Sequence, residues 1–347
     1  MALPKENLDA WIEVIRQWLV TGKFRGMLAI LFGVGLHMQF TKRSAAHSWP
    51  KGYVRRTLFL AAIGFVHAVF IWYGDILFLY ACTALVAMLF VRVSDKALYS
   101  WIAGFAAASF LMGFGLMVIM GALPADGPSM LGPLEPYLSE KAEIQTFAHG
   151  SYLSQLALRA LLFVMAVMQI FVSLPELLAL FLTGILLGRT GFLAKPSGQP
   201  HIQKWGWICL GVGLLANTVP VVSYALGSRY AWGYAMEFSL SPVLAFGYLT
   251  LGASLYEMRP RLFALIEPVG KMALTSYLLQ SVLCTFIFYS WGLGWFNRLN
   301  GAEMLLVVLI TWVIVICFAH LWLSRFRIGP VEGVWRSLAE RQKIPWR

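Results

Sequence analysis

The chain has 347 residues, of which 59% are hydrophobic and only 12% are charged, and its mean hydropathy is +0.72. Soluble domains carry about 25% charged residues, so this composition excludes an ordinary soluble protein. Apolar runs of about 18 to 25 residues recur along the chain, and a helix needs that length to cross a bilayer. The sequence therefore predicts an all-α, polytopic transmembrane helix bundle with the lipid bilayer as its surroundings.

The formal net charge of +11 would suggest a polyanionic partner in a soluble protein. Here the basic residues gather in short connections and at the C-terminus, as the positive-inside rule predicts, so we expect no nucleic-acid partner. No P-loop, HExxH motif or Cys/His cluster occurs, so we expect no metal and no resident cofactor. The four cysteines stand singly in apolar segments and are expected to pack as small hydrophobic residues.

Residues 1–24 place apolar side chains at helical spacing among acids, which predicts an amphipathic helix on a membrane surface rather than a signal peptide. Long apolar runs then predict about nine spans. They lie near 25–41, 57–73, 76–92, 98–122, 161–188, 205–227, 236–256, 271–291 and 303–324.

These spans divide into an N-terminal half, 25–160, and a C-terminal half, 161–324, followed by a basic tail, 325–347. The N-terminal half includes a long connection at about 123–156. Lysine and arginine are concentrated in alternate connections and in the tail, so we expect the tail to be cytoplasmic and the long connection to be non-cytoplasmic. An odd number of spans then puts the N-terminus outside, which is expected if one further N-terminal span is absent.

Five stretches resemble the YeiB-like membrane proteins, whose C-terminal half is catalogued as domain of unknown function 418. They are RGMLAILFGVGLHMQF (25–40), RRTLFLAAIGFVHAVFIWYGDILFLYA (55–81), LLALFLTGILLGRTGF (177–192), VGKMALTSYLLQS (269–281) and WLSRFRIGPVEGVWR (322–336). The last two are the most diagnostic. Lys271 stands where the family usually has arginine, and the family's opening span with its Asp-x-x-Arg-Gly-like motif is missing.

That family looks like a distant branch of the transmembrane acyltransferases, which share an arrangement of about ten helices. The resemblance implies a bundle of that kind without its first helix, in a membrane that we expect to be the bacterial inner membrane. It also implies transfer of an acyl group from a cytoplasmic acyl-CoA donor to a small extracytoplasmic acceptor. Members of the family have also been interpreted as transporters, on equally indirect grounds.

The stretch GFVHAVFIWYGDIL (64–77) carries the first candidate site. An ionisable residue inside a span is costly unless it faces protein or water, so His67 is a functional candidate. His67 could act as a general base on an acceptor hydroxyl, oriented by Asp75, with Tyr73 in the same outward cavity. Alternatively, Asp75 only caps the next helix and His67 is a hydrogen-bonded core residue.

The stretch KMALTSYLLQS carries the second candidate site, because Thr275, Ser276 and Tyr277 project around much of a helix. Gln280 follows Ser276 by four residues and should share its face. Ser276, Tyr277 and Gln280 could line a cavity or donate hydrogen bonds to a substrate carbonyl. Interhelical hydrogen bonding explains the same residues equally well.

Glu176, directly after Pro175, is a third candidate. At membrane depth it could handle substrate or protons, whereas at the interface it could stand at the start of a helix and be favoured by the helix dipole. A separate group of basic residues could attract the phosphates of an acyl-CoA donor, although lipid headgroups and topology also explain them. These are Arg55, Arg56, Lys271 and Arg325.

The sequence thus favours a membrane-bound acyltransferase. It leaves open a small-solute transporter, a degenerate non-catalytic membrane protein and a homo-oligomeric assembly. A transporter would be expected to show inverted repeats and broken helices. Pro175 and Pro220 are the clear interruptions, and no repeat is visible in the sequence.

Overall fold

A computed structural model describes residues 8–122, 138–225 and 230–346, and in these ranges every regular element is helical. The predicted all-α class is confirmed. The first part of the predicted 123–156 connection and the first seven residues lie outside the described ranges. The α-helices are α1 (Leu8–Leu19), α2 (Lys23–Ala45), α3 (Lys51–Val66), α4 (Leu77–Ala87), α5 (Asp95–Ala122), α6 (Glu140–Ile144), α7 (Tyr152–Thr190), α8 (Pro200–Ala216), α9 (Thr218–Ala225), α10 (Tyr230–Met258), α11 (Glu267–Lys271), α12 (Ala273–Phe288), α13 (Gly301–Leu323) and α14 (Pro330–Glu340).

Within the described ranges, five helical segments are long and apolar enough to cross a membrane. They are Trp11–Ala45, Lys51–Ile71, Asp95–Gly115, Tyr152–Thr190 and Gly301–Leu323. Shorter apolar helices occupy Leu77–Phe90 and Ala273–Phe288. Helices are present in the described parts of all the predicted spans, and the count of about nine spans stays a prediction.

Two of the predicted spans differ from the helices that form. The fifth is longer than expected, because α7 runs over 39 residues and keeps Pro175 in its interior. The sixth is divided at Asn217, which separates α8 from α9. The buried Asn217 amide donates a hydrogen bond to the Gly213 carbonyl, 2.7 Å away, so the break does not leave that carbonyl without a donor.

The chain forms two compact units, each built from three separate stretches. Unit 1 consists of Met1–Val54, Tyr80–Pro124 and Ile170–Leu262. Within it, α2 and the second half of α7 approach closely at Gly33 and Gly184, where a Cβ atom would collide with the Phe181 and Ile30 carbonyl oxygens respectively. Small residues permit such close contact between helix backbones, which is a common basis of helix packing in membranes.

Unit 2 consists of Arg55–Leu79, Ala125–Gln169 and Phe263–Arg347. An aromatic cluster lies at its centre: Phe147 stacks on Tyr289 with ring centroids 4.4 Å apart, and Tyr73 stacks on Phe147 at 5.8 Å. Aromatic pairs at these separations contribute beyond their burial alone. Phe147 belongs to a π-helical turn, Gln145–His149, that follows α6.

Candidate functional site in unit 2

Helix α3 does not end as a regular α-helix but continues as one π-helical turn, His67–Ile71. Such turns change the hydrogen-bond register of the backbone and are frequent at functional sites. Two donors from α7 hold this turn: Arg159 Nε lies 2.9 Å from the Val69 carbonyl oxygen, and the Tyr152 hydroxyl lies 2.8 Å from that of Phe70. The position of His67 is therefore fixed from a second helix.

His67 and Asp75 form a buried pair. The Nδ1 atom of His67 lies 2.9 Å from Oδ1 of Asp75, and their side chains are only 1% and 2% exposed. The second carboxylate oxygen of Asp75 accepts the backbone N–H of Phe78 at 2.7 Å, at the start of α4. Asp75 therefore caps α4 and orients His67 at the same time. The two roles that the sequence offered for Asp75, helix cap and partner of His67, are thus compatible.

The other ring nitrogen of His67, Nε2, is buried and has no hydrogen-bond partner in the part of the chain that the structure describes. A carboxylate acceptor at Nδ1 favours the tautomer with the proton on Nδ1, which leaves a lone pair on Nε2. This arrangement of acid and imidazole is what a general base requires. Helix α3 itself makes room for Asp75 at Gly64, where a Cβ atom would lie 2.8 Å from Asp75 Oδ2.

A cavity of about 720 Å³ lies in unit 1 and one of about 420 Å³ in unit 2. The unit 2 cavity brings together three of the predicted residues, Tyr73, Tyr277 and Gln280. His67 and Asp75 are not among its lining residues. The His67 ring instead packs on Tyr277, with centroids 5.0 Å apart, so Tyr277 is the side chain shared by the dyad and the cavity.

Tyr73 is anchored at the edge of this cavity by a hydrogen bond from its hydroxyl to Glu143, 2.6 Å long. The single proton of this phenol is directed at the Glu143 carboxylate, so toward a ligand the Tyr73 oxygen acts as a hydrogen-bond acceptor.

Ser276 does not line the cavity, although the sequence placed it on the same face as Gln280. Its buried hydroxyl bonds to the Val269 carbonyl oxygen at 3.3 Å, which is the structural alternative considered for this stretch. The neighbouring Thr275 bonds to Glu332: its backbone N–H lies 3.0 Å from Oε1, and its hydroxyl contacts Oε2. The two most diagnostic motifs of the sequence are thus joined by a buried carboxylate, which sequence reasoning missed.

Glu176 lies inside α7 and not at a helix start, so that alternative does not apply. Its carboxylate is paired with Arg25 of α2, at 2.9 and 3.2 Å. It lines the cavity of unit 1, which is mainly apolar, whereas Gln280 lines that of unit 2. Glu176 and Gln280 therefore line different cavities, each within its own unit.

The four basic residues predicted to bind a donor all belong to unit 2. Arg55 Nε contacts the Ala339 carbonyl oxygen, and the Arg56 guanidinium stacks over Trp335 at 4.0 Å, so both hold helix α14. Lys271 pairs with Glu267 at 2.9 Å on an exposed surface, and Arg325 is exposed.

Sequence reasoning also missed Arg159 and Gln155, because they precede the apolar run that was predicted to begin at residue 161. Both are fully buried in α7. The Nη1 and Nη2 atoms of Arg159 and the Oε1 atom of Gln155 have no hydrogen-bond partner among the described residues. In the sequence, Arg159 looks like one of the basic residues that flank a span and set its orientation in the membrane. Only its burial in the structure distinguishes it from them. Among the described residues, no group of three or more His, Cys, Asp or Glu side chains could hold a metal ion.

The helices and the composition define an all-helical membrane protein. Residues 187–342 match the model of the family described as "Protein of unknown function (DUF418)". The chain is 30% identical to the "Uncharacterized protein YeiB" of Escherichia coli (strain K12), over 97% of this chain and 86% of that protein. The chain therefore belongs to the YeiB-like family, and the resemblance seen in its motifs is confirmed.

Two further relatives have similar coverage. The "Uncharacterized protein YxaH" of Bacillus subtilis (strain 168) is 28% identical over 96% of this chain and 85% of its own length. The "Uncharacterized 39.9 kDa protein in amylase 3'region" of Bacillus acidopullulyticus is 25% identical over 98% of this chain and 86% of its own. No solved structure matches the chain.

Proposed function

We propose that the protein is a membrane-bound acyltransferase that moves an acyl group from a CoA-type thioester to the hydroxyl of a small acceptor. The observation that carries this proposal is the buried His67–Asp75 pair, whose Nε2 nitrogen has no partner among the described residues. A buried polar atom of this kind needs an explanation, and a reacting hydroxyl supplies one. The YeiB-like motifs support the proposal by their likeness to transmembrane acyltransferases.

In the proposed reaction, His67 Nε2 removes the proton of the acceptor hydroxyl while that oxygen attacks the thioester carbonyl carbon. The carbon–sulfur bond then breaks, and the imidazolium returns the proton to the departing thiolate. The products are an acyl ester and a free thiol, so atoms and charges balance. Asp75 stabilises the transient imidazolium through the bond at Nδ1, and such base catalysis contributes about 10²- to 10⁴-fold to rate.

The acceptor would occupy the cavity lined by Tyr73, Tyr277 and Gln280, and it would reach His67 where Tyr277 packs on the imidazole. Gln280 then supplies hydrogen-bond donors for orientation, and the Tyr73 oxygen, whose proton goes to Glu143, supplies an acceptor. Arg325 and Lys271, which are exposed, would attract the donor's phosphates, and Arg55 and Arg56 would position α14 beside them. We further propose the bacterial inner membrane, with the C-terminal tail in the cytoplasm, from the distribution of Lys and Arg.

The direct test is thiol release from acetyl-CoA by the purified full chain, with a panel of hydroxyl-bearing acceptors. We expect His67→Gln to lower the rate about 10²- to 10⁴-fold. His320→Gln is the matched control, because His320 belongs to the same unit and its ring nitrogen Nε2 lies 3.0 Å from the Leu265 carbonyl oxygen, away from the His67–Asp75 pair in sequence. Equal rates in the two variants, or no acyl-CoA binding by the wild type, would contradict the proposal.

A transport assay distinguishes the proposed acyltransferase from the principal alternative, a small-solute transporter. Proteoliposomes that move a solute without thiol release, at a rate unaffected by His67→Gln, would identify a permease instead. The break at Asn217 and the interior Pro175 are the features that a transporter would use, since discontinuous helices line transport sites.

A further inference from the structure

Arg159 combines complete burial with an incomplete set of partners. Its side chain is 0% exposed, and Nε donates to the Val69 carbonyl oxygen at 2.9 Å, whereas Nη1 and Nη2 make no hydrogen bond of normal geometry among the described residues. The Tyr152 hydroxyl also interacts with the guanidinium electrostatically. The guanidinium also lies 5.1 Å from the Tyr152 ring centroid and 5.9 Å from that of Tyr289. Ring faces attract a cation, but they do not accept the four N–H bonds of Nη1 and Nη2.

A buried guanidinium stays charged and needs a counter-charge, because removing an unpaired ion from water is strongly unfavourable. No salt bridge to Arg159 occurs in the described part of the chain. The Glu143 carboxylate of the same unit accepts the Tyr73 hydroxyl instead. The planar fork of a guanidinium matches the two oxygens of a carboxylate. A bound oxyanion would supply the counter-charge that the described residues do not.

Gln155 adds a second requirement on the same face of α7, because residues four apart on a helix are neighbours. Its amide nitrogen donates to Ser290 Oγ at 2.8 Å and to the Gly150 carbonyl oxygen at 3.3 Å, which fixes the orientation of the amide. The remaining oxygen, Oε1, is buried and has no donor among the described residues. This site thus offers two guanidinium nitrogens, which carry four N–H bonds, and one neutral acceptor oxygen.

We infer that unit 2 binds a small hydroxycarboxylate, with its carboxylate on Arg159 and its hydroxyl donating to Gln155. A single guanidinium balances a monoanion, whereas a phosphate dianion would leave one buried negative charge without a partner. Arg159 and Gln155 do not line the cavity of about 420 Å³, but Tyr289 does, and its ring centroid lies 5.9 Å from the guanidinium. The apolar part of the ligand would extend past Tyr289 toward that cavity. This inference does not depend on the proposed acyl transfer, because a binding measurement tests it without any catalytic activity.

Isothermal titration of the full chain in detergent micelles, at constant ionic strength, uses three probes: 2-hydroxybutyrate, butyrate and inorganic phosphate. The expected order of affinity is 2-hydroxybutyrate, then butyrate, then phosphate. Arg159→Lys keeps the charge but loses the fork, and it should weaken 2-hydroxybutyrate binding by at least about tenfold. Arg298→Lys, at an exposed arginine of the same unit, is the matched control and should leave binding unchanged.

A second variant, Gln155→Met, keeps the volume but removes the acceptor, and it should bring the affinities of 2-hydroxybutyrate and butyrate to within about twofold of each other. A thermal melt of each variant without ligand verifies that it is folded before titration. Three results would overturn the inference: no carboxylate binding to the wild type at millimolar concentrations, tighter binding of phosphate than of either carboxylate, or equal losses in Arg159→Lys and Arg298→Lys.

Discussion

The two units bury their carboxylates in different ways. In unit 1, Glu176 is paired with the guanidinium of Arg25, and the pair links α2 to α7. In unit 2, Asp75 is paired with the imidazole of His67, whose Nε2 has no partner in the described chain. The comparison teaches that the pair in unit 1 serves to link helices, whereas an imidazole oriented by a carboxylate is the arrangement suited to proton transfer.

The strongest way to test this comparison is Arg25→Ala. The Glu176 side chain is only 5% exposed, so replacing Arg25 removes the counter-charge of a buried carboxylate. We expect a loss of about 3 kcal/mol in the free energy of unfolding, because breaking a buried ion pair on one side is strongly destabilising. Chemical denaturation in mixed micelles, followed by far-UV circular dichroism, measures it.

The control is Lys271→Ala, which breaks the exposed pair with Glu267 and should change stability by less than about 1 kcal/mol. The double variant Arg25→Met with Glu176→Leu should recover most of the loss, since hydrophobic residues of similar volume can replace a buried pair. Equal losses in Arg25→Ala and Lys271→Ala would show that the ion pair of unit 1 does not hold the helices.

Gly64→Ala sharpens the comparison from the side of unit 2. The added methyl group would press against the Phe78 backbone nitrogen and lie 2.8 Å from Asp75 Oδ2, so Asp75 must move. Overpacking of this kind costs about 1 to 3 kcal/mol. Gly270→Ala is the matched control, because a Cβ there meets nothing within 4 Å. Thermal melts of both variants measure the difference, and similar melting temperatures would contradict the tight fit around Asp75.

A third buried carboxylate, Glu332, relies on neutral donors and should therefore be less critical than Glu176. Thr275→Val removes the hydroxyl that contacts Oε2 and accepts the Val331 backbone N–H at 3.1 Å. We expect a loss of about 1 to 2 kcal/mol, typical of leaving buried hydrogen-bonding groups unsatisfied. Faster proteolysis of the tail, 325–347, in Thr275→Val measures its loosening. The control is Ser324→Ala, at an exposed position. Unchanged proteolysis would mean that Thr275 does not hold the tail.

The smallest stability effect is expected for Asp75→Asn. The asparagine oxygen can still accept the Phe78 N–H that caps α4, so the loss should be about 0.5 to 1 kcal/mol. The neutral amide no longer stabilises a protonated His67, and acyl transfer should fall about 10²-fold or more. Parallel melts and thiol-release assays measure both quantities. A large stability loss with normal turnover would assign the His67–Asp75 pair to structure.

The sequence predicted the class of the fold and several members of the site. Long apolar runs predicted helices where the structure has them, since a bilayer requires backbone hydrogen bonds within each segment. His67 and Asp75 stood out because ionisable residues in apolar runs are unusual, and they do lie in contact. Tyr73, Tyr277 and Gln280 share one cavity, whereas the Ser276 hydroxyl donates a hydrogen bond to the Val269 carbonyl oxygen of the preceding helix, α11. Local pattern could not separate these outcomes.

Local sequence determined which segments are helical and which residues are costly to bury, because hydropathy and helical spacing depend on near neighbours alone. Tertiary structure decided the partners: Arg25 meets Glu176 across 151 positions of sequence, and Thr275 meets Glu332 across 57. It also decided that Arg159 is buried and not a flanking charge. A side chain's environment is set by helices distant in sequence, and one helix does not encode which of its polar groups its neighbours will satisfy.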